Sequence, residues 1–152
     1  MPTTVIGVDG LSAMVGRHLG YSEYLLVDQG RIDRFADATG DHQWIHVDPE
    51  RAASGPYGTT IAHGYLTLSL VSLLLPQVLL VEGVAFALNY GCNRVRYPSP
   101  VLAGSEIRLG AVLASADEVA GGVQVLLDVV LEVRGAHKPS CAAEIVHRYI
   151  RP

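Results

Sequence analysis

Asp41 and His46 stand five residues apart in the stretch Thr39-Gly40-Asp41-His42-Gln43-Trp44-Ile45-His46. A carboxylate and an imidazole that share one water make an acid–base unit. One group accepts the water's proton, while the other orients the water or supplies a proton to a neighbouring carbon. Imidazole suits the task because it titrates near neutrality; a nearby carboxylate raises its pKa and burial lowers it. Neighbours on a helix lie three or four residues apart, so a five-residue spacing would rotate the two side chains away from each other. In an extended or turning segment they can converge. Taken alone the pair is weak evidence, since Asp and His in loops also serve as surface or capping groups.

A second group of residues, Ile61-Ala62-His63-Gly64, sits where a loop enters a long apolar segment. The first turn of a helix leaves backbone N–H groups without partners and carries the positive end of the dipole. A thioester carbonyl placed there would find a donor for developing negative charge. Gly64 would let an acyl chain approach the backbone closely; it equally well permits tight helix–sheet packing. A metal site is the competing arrangement. His42 and His46 have H-x3-H spacing, and Asp41 and His63 would complete a ligand set. That spacing favours a metal mainly on a helix, and Gly40 with its turn-prone neighbours argues against one here. His63 then reads as a positioning or packing residue, and His42 as exposed.

The elements that must position these groups are legible in outline. Tyr21–Val27 reads as a strand. Asp28 is suited to cap a helix over Gln29–Thr39, with Ile32, Phe35 and Ala36 on its apolar face and Gly40 past its end. The Gly-, Pro-, Asp- and Thr-rich segment that follows makes loops and short turns. Within it, Asp48-Pro49 suits the start of a short helix. From His63 to Val81 there is no Asp, Glu, Lys or Arg. The stretch is long enough to span a bilayer, but Thr67, Ser69, Ser72, Pro76 and Gln77 interrupt it and no basic cluster flanks it. A buried central helix running to about Leu75, ended or bent by Pro76, is the better reading. Beyond Gly83 the pattern turns to strands. Val84–Tyr97 is apolar on both alternating faces, as for a strand covered on both sides. Ser105–Ser115 alternates partially, and Val123–Arg134 alternates fully, with Val123, Val125, Leu127, Val129, Leu131 and Val133 on one face. Ala120-Gly121-Gly122 supplies a hairpin turn, and Ser140–Ile150 is a final strand. The expected fold is α+β, an antiparallel sheet wrapped around one long, nearly uncharged helix.

The 152 residues suffice for one domain with a full core. With 49% hydrophobic and 17% charged residues, the composition is globular. A net charge of −4 argues against a nucleic-acid-binding surface. Cys92 and Cys141 form no CxxC motif, and the N-terminus MPTTVIGVDG lacks a signal core. Both read as reduced thiols in a cytoplasmic protein with no membrane partner.

Three ordered blocks carry a family resemblance. Phe35, Thr39-Gly40-Asp41, Ile45-His46 and Ala52 resemble the signature of (R)-specific enoyl-CoA hydratases, the MaoC-like dehydratases. Tyr57 to Gly64 is similar to their second block, and Arg96-Tyr97-Pro98-Ser99-Pro100-Val101 with Gly104 to a third. The string DHQWIHVDPERA looks most like the nodulation-protein-N-like branch. The resemblance implies a single hot-dog domain over residues 1–152, usually dimeric, with no metal or organic cofactor. It implies that Asp41 and His46 are the catalytic pair and that the Gly64 N–H holds the thioester oxygen. Ser72, about two turns along the helix, falls where the family often carries a supporting serine. The implied reaction is reversible hydration of trans-2-enoyl-CoA to (R)-3-hydroxyacyl-CoA.

The usual signature reads Asp-x-Asn-Pro-Ile-His, whereas Gln43 and Trp44 stand in its middle here. Gln43 keeps an amide with a longer reach, and Trp44 replaces the proline with a large ring near the expected acyl path. Two alternatives share the fold: an acyl-CoA thioesterase, disfavoured by a helix without a carboxylate, and a non-catalytic acyl-binding subunit, disfavoured by the intact pair. Coenzyme A is polyanionic, so a net acidic chain needs a local basic patch to bind it. Arg94 and Arg96 are the foremost candidates, with Lys138 and Arg148 behind them. Acyl carrier protein is an equally admissible carrier. A homodimer is expected because the apolar strand after the helix needs cover.

Overall fold

The computed structural model describes residues 1–152. A short strand β1 (Thr3–Ile6) leads through a 3-10 helix (Val8–Met14) to β2 (His18–Tyr21) and β3 (Leu25–Val27). The expected single strand Tyr21–Val27 is thus divided. Ser22 makes the break: its N–H donates to the Leu109 carbonyl, and its Oγ accepts from the Leu109 N–H at 2.9 Å, replacing a ladder bond with a side-chain bond.

Helix α1 (Gln29–Thr39) has the expected ends. The Asp28 carboxylate accepts the Arg31 N–H at 2.8 Å, and Gly40 adopts φ 79° while its N–H returns to the Ala36 carbonyl. Two short helices follow, α2 (Trp44–Val47) and α3 (Pro49–Ala53), the second capped by Asp48 with Pro49 at its first position.

The uncharged segment forms α4 (Gly64–Ser69) and α5 (Val71–Leu74), joined at Leu70, and a 3-10 turn at Leu75–Gln77. It does not stay helical to Val81. Past Pro76 it becomes β4 (Leu79–Glu82), which pairs in parallel with β1, Thr3 opposite Leu79. The length that would suit a bilayer is therefore shared between a helix and a strand, and no helix is long and apolar enough to cross a membrane.

Strands β5 (Phe86–Arg96), β6 (Ser105–Val119), β7 (Gly122–Val133) and β8 (Cys141–Ile150) complete an antiparallel sheet in the order β2-β6-β7-β8-β5, with β3 beside β2 on β6. The alternation in β7 places Val125, Leu127, Val129 and Leu131 on the fully buried face. Ile107, Leu109 and Leu113 from β6 and Cys141 and Ile145 from β8 join them against Leu66, Leu70, Val71 and Leu74 of the central helix. The β6–β7 turn is tight because Gly121 takes φ 80°, and a Cβ on Gly122 would sit 2.0 Å from the Tyr149 carbonyl oxygen. Strand β5 departs from expectation. Instead of being covered on both faces it is the sheet's edge, exposed along nearly its whole length, with Phe86 at 53% and Tyr90 at 58%.

Candidate functional site

His46 is carried on the single turn α2 rather than on a loop, and it is buried. Its ring reaches across to the segment that enters the central helix, where Nδ1 lies 2.7 Å from the Ile61 carbonyl oxygen. A carbonyl only accepts, so Nδ1 carries the proton and Nε2 presents a bare lone pair. Burial holds the His46 pKa below the ordinary imidazole value, with the neighbouring His63 ring adding to the depression; the Ile61 bond and Asp41 pull the other way. The result is a histidine whose base form is available at neutral pH.

Asp41 precedes α2 and is exposed, its Oδ1 accepting the Gln43 N–H at 3.3 Å. A carboxylate oxygen of Asp41 and one ring nitrogen each of His46 and His63 lie within 4.8 Å of one another. A water can bridge groups at such a separation. Turn geometry, not helical stacking, brings the pair together, since only His46 is on a helix.

His63 is as buried as His46 and stacks on it, ring centroids 3.9 Å apart and planes 25° apart. Its Nε2 meets the Asp41 main-chain carbonyl at 2.9 Å, and Phe35 of α1 lies on it at 4.9 Å between centroids. The stack also bears on the metal reading. Ring nitrogens bind ions in the ring plane, and two nearly parallel rings face to face do not aim their lone pairs at one point. His42, the other proposed ligand, is exposed and paired with Asp37 at 2.9 Å, which raises its pKa.

Gly64 is the first residue of α4, so its N–H has no acceptor within the helix. It lines a cleft of about 340 Å³ with Tyr57, Thr67, Tyr97 and Pro98. A Cβ at position 64 would meet the Tyr97 ring at 3.0–3.2 Å. The absent side chain is thus used for close packing, while the N–H is left at the helix start.

Three expected residues, Ser72, Arg94 and Arg96, stand away from the pair, and a fourth, Gln43, meets it only through its backbone, its N–H on Asp41 and its carbonyl accepting the His46 N–H at 3.0 Å. Ser72 is exposed and accepts a 3.3 Å hydrogen bond from Asn89, in a groove of about 300 Å³ between the helix and β5. Gln43 is exposed and starts α2 through its backbone alone. Arg94 and Arg96 lie exposed on β5, where Arg96 donates to the neighbouring Val95 carbonyl. Trp44 packs on Gly55 and beneath the Arg51 guanidinium, 4.3 Å from its ring centroid.

Sequence reasoning missed Gln29. Its Nε2 donates to the His46 carbonyl at 2.7 Å and to Asp33 at 2.8 Å, and its Oε1 accepts from the buried Thr60 hydroxyl. One amide therefore ties the turn bearing His46 to the strand-like segment bearing Ile61. Nothing in a glutamine at a helix start signals this.

The sequence pattern of the MaoC like domain matches residues 11–133, most of the chain. The chain belongs to the MaoC-like family. Among relatives of this MaoC-like chain, 3-hydroxyacyl-thioester dehydratase Z of Mycobacterium tuberculosis is 48% identical over 148 residues, 97% of this chain and 98% of the relative. Nodulation protein N of Rhizobium leguminosarum bv. viciae is 44% identical over 135 residues, 85% and 82% of the two chains. The fold is shared with an (R)-hydratase from A. caviae involved in PHA biosynthesis, with a TM-score of 0.72 at 22% identity over 91% and 96% of the chains. A monoamine oxidase regulatory protein from Archaeoglobus fulgius gives 0.76 at 23% identity over 100% and 99%. The MaoC-like assignment thus agrees with the three sequence blocks and with the wrapped helix.

Proposed function

We propose that this chain hydrates trans-2-enoyl-CoA reversibly to (R)-3-hydroxyacyl-CoA. The observation that carries the reading is the Nδ1–H bond of His46 to the Ile61 carbonyl, which leaves Nε2 as the base on a ring whose nearer nitrogen lies within 4.8 Å of the Asp41 carboxylate. In the hydration direction, Asp41 orients a water and His46 Nε2 takes its proton as the oxygen adds to C3. The electron pair moves to the thioester oxygen, where the Gly64 N–H at the start of α4 stabilises the enolate. The proton held at Nε2 then goes to C2 on the same face, giving net syn addition with no group consumed.

The near full-length likeness to a 3-hydroxyacyl-thioester dehydratase supports this class of reaction. Neither α4 nor α5 carries a carboxylate, so a helix-borne acid for thioester hydrolysis is absent. Arg94 and Arg96 are offered for the coenzyme A phosphates, and the exposed edge strand β5 as the contact of a homodimer.

The test is a hydration assay with a short and a long trans-2-enoyl-CoA. Asp41→Asn and His46→Ala should each lower turnover by at least about 10²-fold, the scale of general acid–base catalysis. Undiminished activity in either variant rejects the pair, and an (S) product rejects the facial assignment. Free thiol release in place of hydration would move the chain to the thioesterases.

A further inference from the structure

We propose that His63 is a positioning residue for the Asp41–His46 pair, holding the Asp41 main-chain carbonyl through its Nε2–H while its ring fixes the plane of the His46 imidazole. The proposal rests on the reading of that pair as catalytic.

Three contacts define the residue. The Nε2 to Asp41 carbonyl distance is 2.9 Å, the stack on His46 is 3.9 Å between centroids, and the Phe35 ring lies tilted against it at 4.9 Å. Since the carbonyl is the acceptor, Nε2 holds the proton and Nδ1 is a bare acceptor. That Nδ1 is buried and has no hydrogen-bond partner, alone among buried side-chain polar atoms. A residue serving packing alone would be better replaced by a phenyl ring, which fills the same space beside Phe35 and His46 without an orphaned nitrogen. What the imidazole adds is the bond to Asp41. His63 also occupies the N-cap position of α4, directly before Gly64, with its side chain turned to Asp41 rather than to the helix N–H groups. One residue therefore links three parts: its side chain meets the loop of the carboxylate and the turn of the base, and its backbone leads into the helix start that holds the proposed oxyanion donor.

The His46 environment is simple enough for the consequence to be read from pH. Asp41 faces it from the loop after α1, and His63 from the start of α4. On α1, Asp33 is engaged by Gln29, while Asp37 and His42 pair with each other at the surface. From α3, Arg51 lies over Trp44. Proximity of the His63 ring disfavours a proton on His46, so replacing that ring moves the acid limb of the rate profile to higher pH.

His63→Phe keeps the ring and removes the hydrogen bond; His63→Gln keeps an N–H donor and removes the stack. Wild type and both variants would be assayed with the same trans-2-enoyl-CoA beside Asp41→Asn and His46→Ala. His63→Phe should retain Tm, lose turnover by about 10-fold or more with little change in KM, and shift the acid limb upward, since small misplacements of reacting groups cost up to about 10²-fold. His63→Gln should recover part of the lost turnover. A purely structural role would lower Tm, leave the limb in place and show no recovery with Gln. NMR titration of the His46 ring reads the same upward shift without relying on activity, in whichever variant is soluble. Wild-type turnover and an unmoved His46 titration in these variants overturn the positioning role while leaving the pair intact. Activity surviving in Asp41→Asn or His46→Ala overturns both.

Discussion

At the residue scale, the site depends on a tautomer. Ile61 supplies only a main-chain carbonyl, yet that carbonyl decides which nitrogen of His46 is the base. Burial lowers the His46 pKa, so the base form persists to lower pH than in a solvated imidazole. The rate of hydration should therefore rise on an acid limb lying below the ordinary value of about 6.5, as the pH profile of kcat/KM, which reports the free enzyme, will show; a limb above that value contradicts the assignment. Gly64 offers a second prediction. Gly64→Ala gains helix propensity, on the order of 0.5–1 kcal/mol, but its methyl meets the Tyr97 ring at 3.0–3.2 Å. Stability should change little and kcat/KM should fall, because the displaced ring lies in the cleft that Gly64 lines. Adding Tyr97→Ala to the alanine variant should relieve the crowding, measurable as partial recovery of kcat/KM.

At the scale of elements, α1 organises the site without supplying a reacting group. Asp28 fixes where it begins, which sets Gln29 at its first position. From there one amide holds the His46 carbonyl and the Thr60 hydroxyl, side by side across 17 and 31 residues of sequence. Gln29→Leu leaves the buried Thr60 hydroxyl without its acceptor. The expected loss is roughly 1–3 kcal/mol, read by chemical denaturation, with a fall in turnover larger than that of Asp28→Ala. The cap variant should cost only about 1 kcal/mol and leave the pH profile alone. The central helix shows a limit of composition. Absence of charge from His63 to Val81 identifies a buried segment, yet a helix and a parallel strand are both buried, and Pro76 marks where one gives way to the other. The division of Tyr21–Val27 by Ser22 has the same origin, a side chain taking over a backbone bond.

At the scale of the whole molecule, one prediction follows from burial and one from exposure. His46 and His147 are both held below the ordinary imidazole pKa by desolvation. The folded state then binds fewer protons than the unfolded chain. Their contribution to stability is complete above the unfolded value, about 6.5, and declines as pH falls toward the lowered folded values. Thermal melts from pH 7.5 down to pH 5 should show a falling Tm, and His147→Asn should flatten the fall. The second concerns β5, whose Phe86, Leu88 and Tyr90 stand exposed on a sheet edge. Unpaired apolar edges invite pairing, in keeping with the proposed homodimer. Leu88→Lys should shift the mass measured by light scattering toward the monomer, whereas a wild-type monomer at micromolar concentration rejects the dimer.

Much was determined by the sequence alone. The caps of α1 and α3, the face of β7 and the α+β plan follow from local rules, because capping and alternation are settled within a few residues. Asp41, His46 and Gly64 were legible as candidates from residue type and from the three family blocks. What only tertiary structure decided are the contacts made across the chain: the Ile61 carbonyl on His46, the His63 ring laid on that histidine, the Gln29 clamp, and the exposure of β5. Each depends on which surfaces meet after the sheet closes on the helix, and main-chain carbonyls or strand edges carry no side-chain signature by which a sequence could announce them. Ser72 shows the converse: helical spacing placed it correctly on the helix, but its partner, Asn89, comes from the opposing strand.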